Sequence, residues 1–257
     1  MSSATWTPGE LWPERRRLSG PCWRVVESQH RVSTMKLVDT LEEQELLEIL
    51  VDGTKPQVPP DCRHLHYLLF TPFRYGAPYP AGSRFRRAGL TPGVFYGSQT
   101  APTAVAEMAF HRLLFFADSP HTPWPVNATE YTAFMVAFKT AAGLDLTRPP
   151  LDGDRALWTS CTEYRACQDL ADQARTAGIE ALRYESVRDR PHKRGYNLAL
   201  LACRVFVSRE PVQRQTWRIH VGPRGVRALC EFPDLRFAFD RDAFADDPRI
   251  ATMRWER

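Results

Sequence analysis

No apolar run in this 257-residue chain approaches the roughly 20 residues that cross a bilayer, so a helical membrane protein is not expected. The first residues, Met1 to Gly9, lack the basic-then-apolar start of a secretory signal, and a cytoplasmic location is expected. Six cysteines are present, at 22, 62, 161, 167, 203 and 230, but no two form a C-x-x-C pair and their spacing matches no zinc module. Without a signal they read as reduced, buried small hydrophobes rather than a disulfide framework. The familiar catalytic signatures are missing as well. There is no phosphate-binding P-loop and no dinucleotide G-x-G-x-x-G. A nucleophile elbow and an H-E-x-x-H helix are equally absent.

What is present is ordinary in bulk. Hydrophobic residues make up 43% and charged residues 25%, a globular composition. The formal charge of +4 favours an anionic ligand without demanding nucleic acid. Three basic clusters (Arg15 to Arg17, Arg84 to Arg87, Arg188 to Arg194) keep open a non-catalytic nucleic-acid or partner-binding protein. Against that reading, 30 acidic residues nearly balance 34 basic ones, and no recognition helix or aromatic RNA-binding motif accompanies the clusters.

Along the chain, Met1 to about Pro21 reads as a mobile leader. Leu37, Leu41, Leu46 and Leu47 fall at helical spacing between Thr34 and Ile49, with Thr40-x-x-Glu43 as a capping box. Prolines between Lys55 and Pro60 end that helix. His66 to Phe70 reads as a short buried strand, Pro72 to Gly93 as a long functional loop, and Val94 to Tyr96 as another strand. Ser98 or Thr100 caps the next helix, whose stripe is Ala106, Ala109, Phe110, Leu113, Leu114 and Ala117. Glu107 lies about 100° round from Ala106, flanking that stripe.

Phe134, Val136 and Phe138 alternate as in a strand, and a helix from about Cys161 to Thr176 stops at Gly178. Ile179 to Tyr184 is expected as a strand ending at Glu185-Ser186, a basic loop follows, and Asn197 to Val207 reads as a central buried strand. The segment from Trp217 onward shows short alternating runs and turns. The mixture predicts one α+β domain. Its parts are a leader and helical extension at 1–61, a core at 62–210, and a β-rich C-terminal segment at 211–257 packed on that core.

Polar residues gather at the predicted element ends. Arg74 and Tyr75 follow one strand, Arg84 sits in Gly82-Ser83-Arg84-Phe85, Tyr96 ends another strand, and Glu107 and Ser186 come later. Each has an ordinary structural explanation alone, as a solvated arginine, a core tyrosine, a surface carboxylate or a turn serine. His111 shares the face of Glu107 four residues on; a metal site with His64 or His66 is disfavoured against a local hydrogen bond, and no metal is assigned.

The joint order of these residues resembles the RES-domain family. Gly82-Ser83-Arg84-Phe85, Val94-Phe95-Tyr96-Gly97-Ser98 and Thr103-Ala104-x-x-Glu107 look like its first half. Ala171-x-x-Ala174-Arg175-x-x-Gly178, Leu182-Arg183-Tyr184-Glu185-Ser186-Val187-Arg188 and Gly195-Tyr196-Asn197-Leu198 look like its second. The family's Arg, Glu and Ser fall at Arg84, Glu107 and Ser186. Many members carry Trp-Asn after the arginine, where this chain has Phe85-Arg86.

The resemblance implies a fold related to the ADP-ribosyltransferases and an activity that degrades NAD+ by hydrolysis or phosphorolysis. NAD+ is then substrate rather than cofactor, with inorganic phosphate as a candidate co-substrate. The partner it implies is a helix-turn-helix antitoxin of the Xre type, and a homodimer is compatible with it. ADP-ribosyl transfer to a macromolecule is the alternative chemistry.

Residue types fit that inheritance. A carboxylate stabilises the oxocarbenium character that develops when the ribose–nicotinamide bond breaks, a role for Glu107. Arg74 and Arg84 offer guanidinium forks to phosphate, while Tyr75, Tyr96 and Phe85 offer rings. Ser186 is read as a donor to substrate, not as a nucleophile, because no partnering base is evident.

Overall fold

The computed structural model describes residues 6–28, 37–75, 82–89, 91–189 and 195–257. The start of the leader, the first turn expected before Leu37, the middle of the 72–93 loop and most of the basic run to Arg194 lie outside the described residues. Among those described, no helix is long and apolar enough to cross a membrane.

Among the described residues eight strands form one sheet: β1 (Arg16–Glu27), β2 (Phe95–Ser98), β3 (Thr129–Asp145), β4 (Ala181–Glu185), β5 (Tyr196–Leu200), β6 (Gln213–Gly222), β7 (Gly225–Cys230) and β8 (Leu235–Asp240). Their order is β1-β2-β5-β4-β3-β6-β7-β8, and β1 also pairs with β3, so the first five strands close on themselves. The long β3 makes this possible. One edge carries β1, and the other is shared between β6 at residues 129–135 and β4 at residues 143–145. Among the described residues, closure on the other side is the pairing of Trp23 with Ser98. There a Cβ on Gly97 would strike the Cys22 sulfur and come within 2.8 Å of the Trp23 carbonyl, so the close approach of β1 and β2 requires glycine.

The helices of the described residues are α1 (Pro8–Leu11), α2 (Leu41–Gly53), α3 (Tyr67–Arg74), α4 (Ala101–Asp118), α5 (Arg155–Trp158), α6 (Arg165–Thr176) and α7 (Pro248–Ala251). α4 is capped by Thr100, whose hydroxyl accepts from the Thr103 amide, and it buries Ala106, Ala109, Phe110 and Leu113 against Tyr131, Ala133, Trp217 and Phe239. α6 packs Cys167, Leu170, Ala171 and Ala174 on Leu144, Leu182 and Ala199. It ends at Gly178 in the left-handed region, φ 74°, where a side chain would be strained. Phe134, Val136 and Phe138 point to a third cluster with Phe95, Leu198 and Leu200, roofed by Leu69 of α3. Both faces of β3 are therefore buried, the odd positions Tyr131 and Ala133 in one cluster and the even positions in another.

Three elements differ from the sequence reading. The expected leader holds β1, whose residues Leu18 to Glu27 run opposite β3; Gly20-Pro21 interrupts its pattern, and the strand is buried on both faces, Leu18 and Cys22 on one and Trp23 and Val25 on the other. His66 to Phe70 is not a strand. Its residues open α3, capped by the His66 ring accepting from the Leu68 amide, because a short apolar run has no distinguishing period. The strand expected from Asn197 to Val207 stops at Leu200 and gives way to a 3₁₀ turn at Cys203–Val205. The Thr40–Glu43 capping box forms at the start of α2, yet none of the described residues of that helix is buried.

Candidate active site

A cavity of about 420 Å³ opens between α4, the β1–β2–β5–β4 surface and the C-terminal segment, a size suited to a small-molecule ligand. Its floor follows from strand register. Trp23, Ser98, Asn197 and Tyr184 are laterally paired across β1, β2, β5 and β4, so their side chains share one face, and all four line the cavity. Tyr96, two residues before Ser98, falls on the same face. α4 crosses this row and contributes Glu107 and His111.

Glu107 is held from two directions through one oxygen. Its Oε1 accepts from Ser186 Oγ at 2.7 Å and from Asn197 Nδ2 at 2.6 Å. Asn197 is oriented in turn by Ser98, whose hydroxyl donates to Asn197 Oδ1 at 2.6 Å. The Ser186 hydroxyl accepts from the backbone amides of Arg188 and Asp189 at 3.2 and 3.1 Å, which leaves its single proton for Glu107. Among the described residues no hydrogen bond reaches Glu107 Oε2. The loop carrying Ser186 is pinned by Thr103 on α4, which donates to Asp189 Oδ2 at 2.6 Å. A Cβ on Gly195 would collide with both Thr103 and Asp189.

Arg84 lines the same cavity from the tip of a tight turn closed by paired Ser83 and Arg86 backbone groups. The Tyr96 hydroxyl braces that turn, 2.9 Å from Ser83 Oγ and accepting from the Phe85 amide at 2.9 Å. The guanidinium donates to the Trp158 carbonyl at 2.7 Å and lies over the Tyr164 ring, 4.7 Å from its centroid. Burial alone would lower the Arg84 pKa, but Tyr184, Tyr164, Cys167 and Glu107 outweigh it and the net direction is upward. Burial raises the Tyr96 hydroxyl and, with the charge of Glu107 added, pushes Tyr184 well above the ordinary phenol range, so both stay protonated. His111 stands in the cleft, crowded by protein although solvent reaches it. That desolvation, with Arg188, Arg249 and Arg24 nearby, lowers its pKa against the opposing pull of Glu107.

The cavity thus brings Arg84, Tyr96 and Glu107 together, with Ser186 bonded to Glu107 from behind. It does not bring in the other three residues singled out from the sequence. Arg74, on α3, pairs with Asp52 of α2 at 2.8 Å. Tyr75 is solvent-exposed at the end of α3, and its carbonyl accepts from Arg86. Phe85 is 1% exposed and packs edge-on against Tyr184, 4.9 Å between centroids, so it supports the wall from the far side. Conversely, Asn197, Ser98, Tyr164, Tyr184, Arg188 and Arg249 enter the site without having been singled out. Asn197, Ser98, Tyr184 and Arg188 carry a signal, since each lies within one of the family-like runs, whereas Tyr164 and Arg249 carry none. Among the described residues no group of three or more His, Cys, Asp or Glu side chains is arranged to hold a metal; His66 lies instead 3.3 Å from Arg214.

No curated protein matches the chain. A chain of the M. tuberculosis MbcT–MbcA toxin–antitoxin complex is similar in structure at 14% identity, covering 78% of this chain and 85% of that one with a TM-score of 0.44. The sequence model of the RES domain matches residues 58–222, more than half of the chain. That span contains the arginine turn, the glutamate helix and the serine loop that build the cavity, and the chain belongs to the RES-domain family.

Proposed function

We propose that this protein cleaves the nicotinamide–ribose bond of NAD+, by hydrolysis or phosphorolysis, on a fold related to the ADP-ribosyltransferases. The observation that carries the reading is the Glu107 carboxylate, fixed through one oxygen by Ser186 and Asn197, facing a cavity walled by Arg84 and tyrosines. As the C1′–N bond breaks, its electron pair leaves with nicotinamide, which becomes neutral, and positive charge moves onto the ribose. A prepositioned carboxylate stabilises that charge and accepts a proton from an attacking water or phosphate hydroxyl. The products are nicotinamide and either ADP-ribose or its 1-phosphate. Arg84 binds a phosphate group, and the tyrosine faces hold the bases and sugars.

In this account Ser186 is a positioning residue, because its one proton is already given to Glu107. The biological role proposed is that of a cytoplasmic toxin restrained by a helix-turn-helix antitoxin of the Xre type, in keeping with family membership. No resident cofactor is required.

The test is nicotinamide release from NAD+ by purified, partner-free protein, with and without inorganic phosphate. Release is expected, and dependence on phosphate identifies the acceptor. Folded protein that releases none, or that labels a macromolecule instead, contradicts the proposal.

A further inference from the structure

The RES match ends at residue 222, yet part of the cavity wall comes from well beyond it. Arg249, on α7, lines the cavity. The segment that carries it is firmly seated: Ile250 and Met253 are 1% and 7% exposed and share a core cluster with Ala106, Ala109 and Phe110 of α4.

Asp247, fully buried, organises the charges there. Its Oδ2 accepts from Arg188 at 2.9 Å and from Arg249 at 2.7 Å, and its Oδ1 accepts from Arg249 Nε at 2.9 Å. A second hub is the Cys161 carbonyl, which accepts from the Tyr164 hydroxyl at 3.0 Å, from Arg188 at 3.0 Å and from Arg249 at 3.4 Å. Burial alone would raise the Asp247 pKa, but hydrogen bonds from Arg249 and the charges of both arginines prevail, so it remains ionised. Two guanidiniums around one carboxylate leave a net positive charge beside the cavity. The two arginines are not equivalent. Arg188 is 3% exposed and pressed on the Phe110 ring at 3.5 Å, whereas the Arg249 side chain is 37% exposed. Of these two, Arg249 is therefore the one that a ligand reaches, and it lies close to Tyr164, whose ring Arg84 covers.

We propose that the C-terminal segment completes the substrate site, with Arg249, held by Asp247, binding the diphosphate of the dinucleotide. This rests on the dinucleotide reading above. It adds a binding residue supplied from outside the RES match. A guanidinium clamped by a carboxylate on one side is already ordered, so less entropy is lost when it engages phosphate.

The experiment is calorimetric binding of ADP-ribose and, separately, of nicotinamide to the full-length protein, its Arg249→Met variant and its Arg249→Lys variant. Loss of one charge-assisted contact should weaken ADP-ribose binding about tenfold or more in Arg249→Met and leave nicotinamide binding unchanged. Arg249→Lys should recover part of the loss. In turnover, KM for NAD+ should rise while kcat holds. Unchanged ADP-ribose binding overturns the proposal, as does an equal loss for both ligands, which would mark a structural role. If the wild type binds ADP-ribose and loses that binding in Arg249→Met but releases no nicotinamide from NAD+, the cleavage reading fails and the diphosphate site stands.

Discussion

Ser186 and Glu107 are joined by a 2.7 Å hydrogen bond in which the serine has no alternative donor role, because two backbone amides already occupy its acceptor positions. The two residues lie 79 positions apart in sequence, one on the loop after β4 and the other on α4. Their meeting turns a helix-flank carboxylate into a fixed group facing a cavity.

Replacing that serine has two consequences. Ser186→Ala removes one of the two donors to Glu107 and strands the amides of Arg188 and Asp189 in a buried loop. Stability should fall by about 1–3 kcal/mol, the cost of unsatisfied buried polar groups, as read by urea unfolding. Turnover should fall more than substrate affinity does. Because Asn197 holds the same oxygen, Ser186→Ala and Asn197→Ala should be non-additive in kcat, with a coupling of about 0.5–3 kcal/mol in a double-mutant cycle. Strict additivity would show that the two do not act through one carboxylate.

A pH signature follows from His111. Its folded-state pKa lies below the ordinary histidine value, first through desolvation in the cleft and then through three arginines. Below about pH 6.5 the unfolded chain takes up a proton that the folded chain resists, so stability should fall as pH drops through that range. His111→Gln should flatten the slope of the urea midpoint between about pH 5 and 7. His66, lowered by burial and by Arg214, accounts for a remainder. An unchanged slope in His111→Gln contradicts the assignment.

The closure between β1 and β2 is open to a direct check. Gly97→Ala places a methyl group against the Cys22 sulfur and the Trp23 carbonyl, and the second is a backbone atom that only a shift of the strand relieves. Destabilisation of about 1–3 kcal/mol is expected in thermal or urea unfolding, together with lower activity because Ser98 is the neighbouring residue. A variant as stable as the parent would mean that the strands separate there without cost.

What was legible in the sequence is what depends on short spacing. The α4 stripe, the Thr40 and Thr100 caps and the Gly178 stop are read within one or two turns of chain, and the structure has each of them. The family landmarks located Arg84, Tyr96, Glu107 and Ser186, which the fold places in or directly behind one cavity. Less legible were contacts that only register or long-range packing creates. Asn197 reaches Glu107 because β5 lies between β2 and β4, and Arg249 reaches the cavity because α7 docks on α4. The sequence places Arg74 and Tyr75 after an expected strand and so near the site. α3 instead directs Arg74 to Asp52, and Gly20-Pro21 disguised β1 as a leader.

The central claim is that the Glu107 carboxylate drives glycosidic cleavage of NAD+. The most direct measurement compares nicotinamide release by the wild-type protein and by Glu107→Gln, with circular dichroism confirming that both are folded. Glutamine keeps an oxygen that accepts from Ser186 and Asn197 but loses the charge, so release should fall about a hundredfold or more. Release by Glu107→Gln at the wild-type rate would contradict the account.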